Sequence, residues 1–387
     1  MISNDTRVIL EATLPLVAEH IEEITGDFYP RMFAEHPELL NDLFNRTNQK
    51  SGSQASVLAG SIAAFATLQL DYDTATQREI IERIANKHAS LGIVADQYPI
   101  VHKHLFAAIV AVLGDAVTPE VAAAWDELYW EMAHVLIGRE NELYAAAGVE
   151  PGQVWRTVTI TERDQVSPDA VSYTVATTDG SALPGFVPGQ YISVQVPLAD
   201  GADQIRQYSL TGRVGDPTWR FSVKLDGEVS TWLHEHAFDG DGLRVSTPYG
   251  DLTLPEDDGP LLLASAGIGC TPMIGVLHHL VATGDTRPVQ VMHADRSRAR
   301  QPHRGELGEL VAQLPGATLY QWYEHGVDGA EPTTRIGYID LADVPVDPAA
   351  TALVCGPAGF MSSVRDALVD KEVPAERIQF ETFGGVR

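Results

Sequence analysis

The chain has 387 residues and a formal net charge of −27. That is too long for one ordinary domain and too acidic to hold nucleic acid or an anionic membrane, whose phosphates it would repel. Its two cysteines, Cys270 and Cys355, sit in one late region and make no disulfide framework. No apolar core follows a basic start, and no apolar run approaches the roughly 20 residues of a membrane span. A soluble, cytoplasmic protein without a membrane span is expected.

Residues 5–147 carry helical periodicity throughout. Leu10, Leu14, Val17, Ile21 and Ile24 form one apolar stripe. Leu58, Ile62 and Phe65 repeat it, as do Leu105, Ile109 and Val112, then Val121, Trp125, Leu128 and Met132. Thr118-Pro119-Glu120 combines an N-cap, a first-turn proline and an early acid, so a helix starts there. Gly148-Val149-Glu150-Pro151-Gly152 ends the helical part. Short β-rich segments follow at 154–160, 172–175, 191–194 and 221–224, punctuated by Pro188-Gly189 and Asp226-Gly227. They predict an antiparallel barrel or sandwich. From Pro260 the apolar strands 261–264, 289–292, 319–322 and 352–355 alternate with helical patterns, which implies a doubly wound parallel sheet. The expected domains are 1–147, 152–258 and 259–387.

Two motifs carry chemistry in the later domains. Arg206-Gln207-Tyr208-Ser209 sets a guanidinium, a phenol and a hydroxyl on one strand, suited to a flavin and its phosphates. Tyr191 is a second aromatic candidate. Gly227-Glu228-Val229-Ser230-Thr231 leads into a helical stretch at Trp232, where the backbone around Val229 and Ser230 could hold pyrophosphate. After the apolar run 261–264 comes Gly267-Ile268-Gly269-Cys270-Thr271-Pro272, a turn built to receive a dinucleotide. Cys355-Gly356-Pro357 closes a later strand. Glu381 and Phe383 follow the last strand, and an aromatic there could cover the flavin face that a nicotinamide must reach. Each residue alone reads as an ordinary strand or surface residue; the ordered set points to hydride transfer from a nicotinamide.

Residues 152–387 resemble the ferredoxin–NADP reductase superfamily, which implies FAD in the barrel and NAD(P)H in the sheet domain. Asp295-Arg296-Ser297-Arg298-Ala299-Arg300 follows the strand ending at His293. Such a basic run would pair with the 2′-phosphate of NADPH, whereas an exposed charged loop would carry no preference; NADPH is favoured over NADH on that ground.

A haem needs an axial ligand such as imidazole, and 13 histidines offer candidates. Helix phase sets His88 on a face with Ile81 and Ile84, while His20, His36 and His134 lack such a set. A lone His on an apolar face is usually a satisfied core residue, so the surrounding strings decide. Asp27-Phe28-Tyr29-Pro30-Arg31-Met32-Phe33, Leu43-Phe44-Asn45-Arg46-Thr47-Asn48-Gln49, Gln54, Leu58, Asn86-Lys87-His88, Gln97-Tyr98 and Arg139-Glu140 occur in that order. They resemble the globin domain of flavohaemoglobins, and the likeness then covers essentially the full chain.

The resemblance implies an all-α globin domain with haem b, an antiparallel β-barrel FAD domain and an α/β NAD(P)-binding domain. His88 would be the proximal iron ligand, with Tyr98 and Glu140 as its partners and Lys87 beside the haem. Tyr29 and Gln54 would hydrogen-bond dioxygen on the distal side, with Phe44 and Leu58 packing the pocket. The implied activity is nitric oxide dioxygenation, O2 and NO giving nitrate with electrons from NAD(P)H, in a monomer. The resemblance leaves open whether a lipid shares the haem pocket. Pro30 disfavours helical geometry at Tyr29, the stretch after His293-Ala294 departs from the family pattern, and Cys270 stands where another small or polar residue is expected. Phe383-Gly384-Gly385 replaces the more usual Phe-Gly-Pro. Two other readings stand beside this one: an NAD(P)H-dependent oxidase or reductase with another acceptor, and a haem protein that senses O2 or NO.

Overall fold

The computed structural model describes residues 2–42, 74–326 and 333–383. The chain divides into two compact units, one built on Met1–Trp155, the other on Arg156–Val196 with Arg206–Gly384.

The first unit is helical: α1 (Asn4–Glu19), α2 (Ile21–Glu35), α3 (Pro37–Asp42), α4 (Thr74–Leu91), α5 (Tyr98–Leu113) and α6 (Pro119–Ala146). Ser3 caps α1 by accepting from the Thr6 N–H at 3.1 Å. Thr118 caps α6 with Pro119 in the first turn, as its sequence predicts. The stripe Leu10, Val17, Ile24 packs with Phe28, Met32, Leu105, Ile109, Trp125 and Leu128 in one core. The expected stripe at Leu58, Ile62 and Phe65 lies outside the described residues.

Helix α2 continues through Pro30, and Tyr29 lies within it. A mid-helix proline forfeits one hydrogen bond and crowds the carbonyl four residues back. Here that residue is Gly26. Burial of Phe28, Tyr29 and Met32 on the same helix offsets the loss. One described helical stretch, Ala95–Ala116, passes by length and composition as able to cross a membrane, although Asp96, Lys103 and Asp115 interrupt its apolar residues. Its Leu105, Ala108 and Ile109 are core residues of the helical unit.

The second unit opens with a six-stranded sheet, ordered β4 (Asp203–Ser209), β3 (Tyr191–Pro197), β6 (Gly242–Ser246), β1 (Trp155–Ser167), β2 (Ala170–Thr177), β5 (Trp219–Lys224). Strands β1 and β2, β2 and β5, and β3 and β6 pair antiparallel. A bridge from Leu210, just after β4, to Phe221 on β5 joins the two edges and closes the sheet. Helix α7 (Glu228–His236) covers it, and the Tyr173 hydroxyl donates to the Leu233 carbonyl at 2.9 Å. This helix begins four residues before the expected Trp232, so Val229 and Ser230 lie in its first turn.

A second sheet follows, ordered β10 (Thr334–Ile336), β9 (Ala317–His325), β8 (Val289–Ser297), β7 (Leu261–Ala266), β11 (Thr351–Cys355), β12 (Ile378–Glu381), all parallel. Leu261 and Leu263 face one layer with α8 (Cys270–Thr283) and α9 (Arg304–Gln313), while Leu262 and Ala264 face the other with α10 (Ala358–Asp370). Both faces are covered, which is why the strand reads as an unbroken apolar run. Two boundaries differ from expectation. Strand β8 runs past His293 to Ser297, so the basic run begins within it, and Glu381 lies inside β12.

Barrel and sheet meet tightly in this unit. A Cβ on Gly275 of α8 would overlap the Leu210 carbonyl oxygen. Beside that contact Glu306 of α9 gathers Arg220 from β5, His278 from α8 (2.6 Å) and His303 (2.6 Å). The other His303 nitrogen meets the Ser222 hydroxyl at 2.8 Å.

Candidate active site

In the helical unit the pairing of α4, α5 and α6 brings His88, Tyr98 and Glu140 together. His88 Nδ1 lies 2.8 Å from Glu140 Oε1 and 3.2 Å from the Tyr98 hydroxyl, which donates to the same carboxylate oxygen at 2.6 Å. Glu140 is only 2 % exposed, so its charge has these two partners in place of water. Burial, then the adjacent Glu140 charge, pushes the Tyr98 phenol well above its ordinary range and keeps it a donor. The Tyr129 hydroxyl holds the Tyr98 carbonyl at 2.7 Å, and the Tyr144 hydroxyl holds that of Ile93 at 2.6 Å, which fixes the turn between α4 and α5. An Arg139–Glu82 ion pair at 2.7 Å ties α6 to α4 beside it.

These residues fit a haem. With Nδ1 given to Glu140, a neutral His88 ring keeps its lone pair on Nε2, the donor an iron takes. Lys87 is exposed next to it. Tyr29 is buried on α2 between Phe28 and Phe33, ring centroids 4.7 and 5.6 Å away, and shares the core with Tyr98. Burial raises its phenol pKa, so it stays protonated. Phe44, Gln54 and Leu58 lie outside the described residues.

In the second unit the flavin candidates line up on and beside β4. Arg206 is half-buried, and burial lowers its guanidinium pKa, a cost that an anionic partner would relieve. The Tyr208 ring is 5.8 Å from that of Phe221, and burial raises its phenol. Gln207 donates to the Ser193 hydroxyl at 3.0 Å. Ser209 is buried with a hydroxyl that has no hydrogen-bond partner. A buried orphan polar atom calls for a ligand or water, which is what a flavin edge would supply. Tyr191 is buried and paired with Tyr249 through two backbone bonds of 2.8 and 2.9 Å. Ser230, in the first turn of α7, accepts from the Asp226 N–H at 2.8 Å and fixes the approach of Gly227, whose φ is +103°.

The dinucleotide candidates meet at the carboxyl ends of β7 and β11, where strand order reverses and open α/β sheets bind ligands. Gly267 has φ +55°, a conformation that favours glycine. A Cβ on Gly269 would overlap the Cys355 carbonyl oxygen and stand 2.7 Å from its carbon, so the turn lies against the Cys355-Gly356 backbone. Thr271 closes it with a 3.0 Å bond to the Ile268 carbonyl, and Pro272 sits in the first turn of α8. Pro357 caps α10. Cys270 and Cys355 are fully buried free thiols whose pKa burial raises, so both pack as small apolar groups. Glu381 registers opposite Cys355, at the same sheet end; Phe383 is 40 % exposed.

Lys224 escaped the sequence reading. It ends β5, and its Nζ lies 4.0 Å from where a Gly267 Cβ would stand. Its signal was slight, one lysine closing the alternation Phe221-Ser222-Val223. The basic run is less open than the sequence implied. Arg298 lies over the Tyr323 ring at 5.9 Å and Arg300, itself exposed, pairs with Asp169 at 3.4 Å, while Arg296 is a second exposed cation of the run.

A helical unit whose His88–Glu140–Tyr98 cluster fits a haem, followed by a flavin barrel and a nicotinamide sheet, defines a haem- and flavin-carrying oxidoreductase. Residues 26–136 match the Globin family, 157–254 the oxidoreductase FAD-binding domain and 263–366 the oxidoreductase NAD-binding domain. The chain is 40 % identical over 402 residues to a flavohemoprotein of Bordetella pertussis, covering 99 % of each. To that of Deinococcus radiodurans it is 38 % identical, covering 99 % of this chain and 97 % of the relative. It is also similar to the crystal structure of a flavohemoglobin from Malassezia yamatoensis with bound FAD and heme, at 37 % identity and TM-score 0.91 over 99 % and 100 % of the two chains. Residues amounting to 60 % of the chain resemble all of the flavohem-like FAD/NAD-binding domain of a nitric oxide dioxygenase from Vibrio cholerae, at 31 % identity and TM-score 0.56. The chain belongs to the flavohemoprotein family. Its cofactors are haem b, FAD and a nicotinamide coenzyme.

Proposed function

We propose that this flavohemoprotein is an NAD(P)H-dependent nitric oxide dioxygenase that converts NO and O2 to nitrate and so detoxifies nitric oxide. The observation that carries the reading is the His88–Glu140–Tyr98 triad in a chain that holds its own reductase. An imidazole hydrogen-bonded to a buried carboxylate donates more electron density to its metal, which favours oxygen activation over storage. The kinship to the Vibrio cholerae protein supports it. When bound, haem supplies the redox-active iron at which the two gases combine, and FAD turns the hydride of NAD(P)H into single electrons.

The residues divide the work. Glu140 and Tyr98 orient His88, and Tyr29, held protonated by burial, offers a hydrogen bond on the distal side together with Gln54. Lys87 is assigned the haem edge, and the pocket-packing roles fall to Phe44 and Leu58, which lie outside the described residues. Arg206, Tyr208, Ser209 and Tyr191 bind flavin, with Gln207 fixing the strand and Val229 and Ser230 presenting first-turn N–H groups to its pyrophosphate. The turn 267–272, Cys355, Gly356 and Pro357 receive the nicotinamide nucleotide, with Lys224 adding a cation; Glu381 and Phe383 border the hydride path. The domains of the proposal are 1–147, 152–258 and 259–387, the setting is the cytoplasm and the protein acts as a monomer. Arg296 favours NADPH.

Purified holoenzyme given NADPH, O2 and NO should consume NO catalytically and yield nitrate. His88→Ala should lose the haem spectrum and NO consumption yet keep flavin reduction by NADPH. NADPH oxidation that NO does not divert to nitrate would instead define an oxidase with another acceptor.

A further inference from the structure

We propose that Glu35, His36 and His104 form a site for a divalent transition-metal ion of the zinc class where the end of α2 meets α5. One ligand atom from each lies within 4.8 Å of the others. His104 is 5 % exposed and its buried Nε2 makes no hydrogen bond. The Glu35 Oε2 atom is 3.5 Å away from it. Leaving a buried polar atom unsatisfied is costly, so this nitrogen calls for a partner on the side where Glu35 and His36 stand.

The spacing suits a metal. Tetrahedral zinc with bonds of about 2.1 Å separates its ligand atoms by about 3.4 Å, which the His104–Glu35 pair already meets. The His36 and His104 rings stand edge to face at 80°, centroids 5.8 Å apart. Glu38 Oε1 lies 3.2 Å from His36 Nδ1 and holds that ring. The other Glu35 carboxylate oxygen accepts from the Lys103 ammonium. Glu35 is exposed and His36 half-buried, so an ion arrives from solvent and water completes its shell. Two imidazoles and one carboxylate select zinc-like ions over calcium or magnesium, which prefer all-oxygen sites. Because Glu35 and His36 end α2 and His104 lies mid-α5, a bound ion would tie the helix carrying Tyr29 to the helix that starts at Tyr98.

The test is equilibrium dialysis of chelator-stripped holoenzyme against zinc with elemental analysis, alongside thermal unfolding with and without the ion. Wild type should bind one zinc per chain and unfold at higher temperature with it. His36→Ala and Glu35→Gln, at accessible positions that the helical core does not need, should fold, retain haem and bind that zinc at least ~10-fold more weakly. His104→Ala should agree where it folds. Failure of wild type to bind zinc stoichiometrically, or equal affinity in His36→Ala and Glu35→Gln, would overturn the proposal.

Discussion

Glu140 and His88, 52 positions apart in the chain, are joined by a 2.8 Å contact that the Tyr98 hydroxyl backs at 2.6 Å from the same carboxylate oxygen. The carboxylate's charge matters here more than its shape. Glu140→Gln should keep haem but weaken imidazole donation, lowering the iron–histidine stretching frequency and NO turnover by about 10–100-fold. Resonance Raman spectroscopy with an NO electrode checks both; unchanged values in each would remove Glu140 from the reaction.

Arg206 is expected to anchor the flavin by charge. Arg206→Ala should weaken FAD binding by at least about 10-fold, corresponding to loss of a charge-assisted bond of about 1.5–3 kcal/mol. Ser209→Ala should act more mildly, since it deletes the orphan hydroxyl as well as its bond. Flavin fluorescence on dilution measures the two side by side.

Gly269→Ala tests the dinucleotide turn. The added methyl cannot be accommodated against the Cys355 carbonyl without moving one of the two strand ends. A destabilisation of about 1–3 kcal/mol is expected, with a raised KM for NAD(P)H and unaltered haem spectra. Thermal unfolding reads the first effect, steady-state reduction of an artificial acceptor the second.

Glu306 makes the reductase half sensitive to acid. Burial pushes its carboxyl pKa up, but bonds from His278 and His303 and the Arg220 charge outweigh that and hold it far below the ordinary value of 4.5. A carboxylate depressed in the folded state stabilises fully above its unfolded pKa, and that contribution fades as pH falls toward the folded one. Flavin release on heating should therefore move to lower temperature below about pH 4. Glu306→Gln should lose about 2 kcal/mol at neutral pH and show a flatter acid limb. Parallel wild-type and variant limbs would contradict the assignment.

What the sequence made legible is what periodicity and caps encode. Thr118-Pro119 started its helix, the stripe from Leu10 to Ile24 entered the core, and the run 261–264 became the two-faced strand β7. Tertiary contacts decided the rest. Pro30 stays helical because its neighbours are buried, and β8 extends through Asp295 and Ser297 because β9 offers Tyr323 and His325 as partners. The edge strands β10 and β12 are too short for a period to show. Arg220, His278 and the His303–Glu306 pair converge from separate elements, as do His36 and His104, and no local pattern announces such meetings.

Gly275 has a consequence for how this reductase can diversify. Its backbone rests directly on the Leu210 carbonyl, so no side chain separates barrel from sheet there, and any substitution at that position wedges them apart. The angle between flavin and nicotinamide domains is thus written in peptide groups, which mutation hardly alters. Coenzyme choice, by contrast, would be written in exposed side chains such as Arg296. Lineages can exchange one reductant for another without renegotiating the distance over which the hydride travels.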